Sequence, residues 1–95
     1  MSLATHTYPS PLGDLLAVFT ARGLGLLEFA DQPRVARELA QVQAARGDAA
    51  PAPDTLHAWT SQLGHELSEY FAGQRRWFAL PLDLVGTPFQ QRVWQ

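Results

Sequence analysis

The sequence predicts an α+β fold: an antiparallel three-stranded meander packed with two helices, followed by an extended segment and a short C-terminal helix. Three observations lead there. Short apolar runs separated by turn residues fill the stretch from Leu3 to Phe29, two longer segments carry apolar residues at helical spacing, and proline and glycine punctuate each junction. A chain of 95 residues is one domain by size, and 46% hydrophobic against 17% charged residues marks it as folded rather than disordered.

The meander is broken at Ser10-Pro11-Leu12-Gly13 and at Ala21-Arg22-Gly23. Its middle run, Leu15 to Thr20, is apolar on both faces, as a central strand covered on both sides requires. The third run, Leu24 to Phe29, puts Leu27 and Phe29 on one side. Asp31 is the expected N-cap of a helix from about Gln32 to Arg46, whose stripe of Val35, Leu39 and Val42 is narrow enough for the surface of the sheet. Gly47 stops it, and Asp48 to Pro53 form a loop too short to separate domains.

Asp54 is the expected cap of the second and longer helix, with Leu56, Leu63, Leu67 and Tyr70 on one face, Trp59 and Phe71 flanking, and Gly73 at the C′ position. Gly64 within it costs about 1 kcal/mol relative to alanine, which points to close packing against a neighbour. Arg76 to Leu80 reads as an extended run and Pro81 to Gly86 as the exit segment. Thr87 as N-cap, Pro88 at the first helical position and Gln90 in capping-box place then begin a last helix. An isolated helix needs roughly 12–15 residues to be marginal in water. Fewer follow Thr87, so Phe89, Val93 and Trp94 are expected to dock on something.

Composition narrows the chemistry. The seven basic residues are all arginine and the net charge is −2, so no basic field for neutralising phosphates exists and DNA binding by this chain alone is not expected. Without cysteine there is no disulfide, thiolate metal site or thiol nucleophile. The N-terminus lacks a basic region followed by an apolar run, and the apolar stretches are of strand length, so neither a secretory signal nor a membrane span is expected; a cytoplasmic location is.

His57 and His65 are eight apart, not the four that would bring two ligands to one metal. His65 with Glu69 reads as a surface salt link, Glu66 and Glu69 as a solvated helix face, and Arg75-Arg76 as a solvated edge. His6 has no signature around it, and Gly23-Leu24-Gly25 lies in a hairpin rather than in a strand-to-helix phosphate loop. No catalytic residue, metal ligand or cofactor site is expected.

The order of the pieces carries a resemblance. Pro11-Leu12-Gly13, the hairpin ending Gly25-Leu26-Leu27-Glu28-Phe29, the segment Glu69 to Arg75, Leu80-Pro81-Leu82-Asp83-Leu84, and Gly86-Thr87-Pro88-Phe89-Gln90-Gln91-Arg92-Val93-Trp94 together resemble the amino-terminal part of the methylated-DNA–protein-cysteine methyltransferases, the O6-alkylguanine-DNA alkyltransferases. The resemblance implies that residues 1–85 form the family's ribonuclease H-like N-terminal domain and 86–95 a truncated first helix of the catalytic domain. In that family the second domain enters the minor groove, flips the damaged guanine out and transfers its alkyl group to a cysteine in a Pro-Cys-His-Arg motif. No position of this sequence matches that motif, and no catalytic or DNA-contacting residue is carried over. The zinc that some relatives hold through cysteines and histidines is not supported either. Phe89, Gln90, Val93 and Trp94 match the family's motif, with packing between domains as their implied role. The expected partner is a separately encoded catalytic domain or a second copy of the chain. The alternative is an interaction or dimerisation module docking through Phe89, Val93 and Trp94.

Overall fold

The computed structural model describes residues 3–47 and 50–83. Strands β1 (Ala4–Tyr8), β2 (Leu15–Thr20) and β3 (Gly23–Phe29) form one antiparallel sheet in the order β1-β2-β3, followed by helices α1 (Val35–Arg46) and α2 (Pro53–Phe71). The predicted meander and its two helices are thus present. The predicted C-terminal helix and the apolar residues Phe89, Val93 and Trp94 lie outside the described residues.

Alternation along β2 divides the interior into two cores. Leu15, Ala17 and Phe19 face α2, where they meet Leu63 and Leu67, with Tyr8, Leu24, Leu27, Phe78 and Leu80 completing the cluster. Val18 faces the other way, toward Leu26, Val42 of α1 and Leu3, with Leu16 and Leu39 at the margin. Leu24 and Leu27 share a face although they are three apart. The register explains it: Val18 pairs with Leu26 but Phe19 with Leu24, so Gly25 is the extra residue of a bulge that inverts the alternation. Glycine is needed there because a Cβ would lie 2.8 Å from Thr20 Cγ2 and 3.3 Å from Val42 Cγ1.

Several boundaries differ from those predicted. Helix α1 begins at Val35 with Arg34 at the cap position, not with Asp31, and no side chain caps it. Pro33 is the cause: the residue before a proline is pushed out of the helical region, so Phe29 to Gln32 and Gln32 to Val35 close turns instead. Helix α2 is capped by Ala52 with Pro53 at N1, which leaves Asp54 in the first turn, where its charge favours the helix dipole. Gly73, with φ of 79°, takes the expected place after the Ala72 C-cap. Gly64 packs as anticipated, since a Cβ there would come 3.2 Å from Tyr8 Cε1.

Arg76 to Leu80 does not form a ladder strand but winds through bends that bury Phe78 and Leu80 in the α2-side core. Pairing begins only beyond it. Leu24 N–H donates to Pro81 O at 2.9 Å and Asp83 N–H to Leu24 O at 2.8 Å, making a parallel bridge between Leu24 and Leu82. Residues 81–83 therefore cover part of the free edge of β3.

Candidate functional site

Among the described residues, charged side chains that the fold buries or pairs gather in three places, each holding a crossing of chain segments. At the start of α1, Glu28 is 8% exposed and Glu38 2%. Arg34 Nε reaches Glu28 Oε2 at 2.9 Å and Glu38 Oε1 at 3.8 Å, while Glu28 Oε1 accepts from Phe29 N–H at 3.0 Å. The hydrogen bond to Glu28 first, and its charge next, hold the Arg34 guanidinium more firmly protonated than usual. These contacts fasten α1 to β3.

Beside α2, two expectations need correction. Glu66 is not on a solvated face: it is 2% exposed, and it accepts from Ala79 N–H at 3.0 Å and Gln62 Nε2 at 2.9 Å. The segment after Gly73 folds back over the helix and closes that face. Nor is Arg75 a solvated edge residue, since its Nε donates to Glu69 Oε1 at 2.7 Å and its Nη1 to the Trp77 carbonyl at 3.1 Å. The Arg75 hydrogen bond holds the Glu69 carboxyl below the usual carboxylate range. Arg76 stays exposed as expected, on an open groove of about 480 Å³ lined by Glu69, Gly73, Gln74, Arg75, Arg76 and Trp77. His65 Nε2 lies 3.4 Å from Glu69 Oε2 on the surface, the salt link expected of it.

The third place is at Asp83, beside the edge of β3. Thr20 Oγ1 donates to Asp83 Oδ2 at 2.7 Å and accepts from Arg22 N–H at 3.1 Å, and Arg46 Nε donates to Asp83 Oδ1 at 2.9 Å. Sequence reasoning assigned no role to Thr20, Arg46 or Asp83. One signal was available in Thr20, a polar residue closing an otherwise apolar central strand.

Among the described residues the histidines do not converge: His57 and His65 are exposed on α2, and His6 sits on β1 against the Tyr8 ring at 4.6 Å between centroids. No group of three or more potential metal ligands occurs among those residues. A three-stranded meander with one helix on each face, tied at its crossings by ion pairs of Arg34, Arg46 and Arg75, defines an α+β domain. The chain belongs to the family described as the ribonuclease-like domain of 6-O-methylguanine DNA methyltransferase, whose model matches residues 3–84.

Relatives agree with that placement. The constitutive methylated-DNA–protein-cysteine methyltransferase of Bacillus subtilis is 53% identical over 45 residues, covering 44% of this chain and 27% of the relative. The methylated-DNA–protein-cysteine methyltransferase of Mycobacterium leprae is 63% identical over 30 residues, 32% of this chain and 18% of that protein. The crystal structure of Mycobacterium tuberculosis O6-methylguanine methyltransferase superposes with a TM-score of 0.58 at 29% identity, covering 95% of this chain and 47% of that one. The chain thus matches less than half the length of each of these proteins.

Proposed function

We propose that these 95 residues supply the non-catalytic N-terminal domain of an alkyltransferase-type DNA repair protein, with residues 1–85 as that domain and 86–95 as the opening of the first catalytic-domain helix. The observation that carries this reading is the family match over residues 3–84 in a chain without a single cysteine. The relatives are named for transfer to a protein cysteine, and the thiolate is the nucleophile such a transfer needs. No serine or histidine here can simply replace it. These residues do not by themselves accept an alkyl group. Incubation with DNA carrying labelled O6-methylguanine is expected to leave the protein unlabelled; label on the protein would overturn the proposal.

A second reading is supported by apolar residues near the end of the sequence. Phe89, Val93 and Trp94 lie within the twelve residues that follow Asp83 in sequence, and they suit docking onto a separately encoded catalytic domain or a second copy. Sedimentation at micromolar concentration tests the second copy: a concentration-dependent dimer lost in Trp94→Ala supports it, and a strict monomer refutes it.

A further inference from the structure

We infer that residues 81–83 form a detachable strap, locked onto the free edge of β3 by Asp83 and able to open as a unit while the rest of the domain stays folded. The seat is built for a backbone. Gly23 has φ of 155°, and a Cβ on it would lie 2.4 Å from Pro81 O and 2.7 Å from Pro81 C, so the strap can approach only because that position has no side chain. Two backbone hydrogen bonds to Leu24 hold the strap, and the Thr20 hydroxyl and Arg46 guanidinium grip the two oxygens of Asp83. The grip joins three parts of the fold: the end of β2, the end of α1 and residues 81–83.

Apart from Leu82, which is half-buried against the α2-side core, what holds the strap is polar and partly open to water, whereas what precedes it is buried in that core. Leu80 is 2% exposed and fixed in the core, Pro81 is exposed, and a pocket of about 190 Å³ lined by Thr20, Ala21, Arg22, Ala45, Arg46 and Asp83 brings solvent to the grip. Elements held by few buried apolar contacts and solvent-reachable hydrogen bonds open at lower free energy than the core. Opening therefore stops at Leu80. Release of residues 81–83 lets a stretch of about 10 Å, at 3.3–3.6 Å per residue, come away from β3. This device belongs to residues 20–83 alone and does not depend on the proposed function.

Amide hydrogen exchange on the full 95-residue chain tests it. In the wild type, the Leu24 and Asp83 amides should exchange at least tenfold faster than those of Val18 and Leu67. Asp83→Ala should speed Leu24 a further tenfold or more, with Val18 and Leu67 changed less than threefold. Thr20→Val, which keeps the shape of the side chain, should give the same local pattern more weakly and decides the matter if Asp83→Ala does not fold. Leu24 exchanging as slowly as Val18 in the wild type, or uniform acceleration of all amides in Thr20→Val, would overturn the strap.

Discussion

Tyr8 joins β1 to α2 through both of its ends. Its ring lies against Gly64 while its hydroxyl donates to Thr60 O at 2.7 Å, and burial pushes the phenol up to about 12. A phenol raised above its ordinary value of 10 favours the protonated folded state. Its contribution is therefore complete below pH 10 and is lost as the pH rises through about 12. Tyr8→Phe should cost about 1 kcal/mol at neutral pH through the missing hydrogen bond, and should show a flatter decline in urea midpoint above pH 10 than the wild type. Glu66 is nearly out of water, and its side chain accepts from Ala79 N–H. Glu66→Ala leaves that amide unpaired and should cost about 1–3 kcal/mol by urea titration, whereas Glu66→Gln, which keeps an acceptor, should cost less.

Among the elements, the strands were the most legible, because alternation and turn residues act over a few positions. Ser10 closes the first turn through its side chain, accepting from Leu12 N–H at 3.2 Å, as its place in Ser10-Pro11-Leu12-Gly13 implied. Helix starts were less legible. Asp31 and Asp54 are good capping residues by type, but the prolines at 33 and 53 set where the helices begin. The region from Arg75 to Leu80 was misread for a different reason: its path follows buried partners, Glu66 and the α2-side core, that are distant in sequence. The same distance hid the Thr20–Arg46–Asp83 grip, whose three members are silent until the sheet and α1 bring them together. Gly64 shows how an element can be constrained by its neighbour. Alanine there should add about 1 kcal/mol of helix propensity. Its Cβ would press on a Tyr8 ring fixed at the hydroxyl, so Gly64→Ala should give no rise in urea midpoint, while the same change in a Tyr8→Ala background should give one.

For the molecule as a whole, one sheet separates two unequal cores, with the α2 side holding most of the large apolar residues and the α1 side a smaller set around Val18, Leu26 and Val42. Its two outer strands differ just as much. β1 carries exposed Thr5, His6 and Thr7, while β3 is buried from Gly23 to Glu28 and apolar over most of that length. No helix among the described residues is long and apolar enough to cross a membrane. Covering the β3 edge at Leu24 thus has a bearing on solubility. An apolar strand with unpaired backbone groups is a template for another chain, and polar residues alone guard only the β1 side. A chain shortened to end at Leu80 should retain its near-native circular dichroism yet scatter light increasingly with time at micromolar concentration, and Asp83→Ala should do so more slowly. Residues 81–83 would then serve as a gatekeeper against aggregation, shielding the sheet edge that, among the described residues, has no protection from its own side chains.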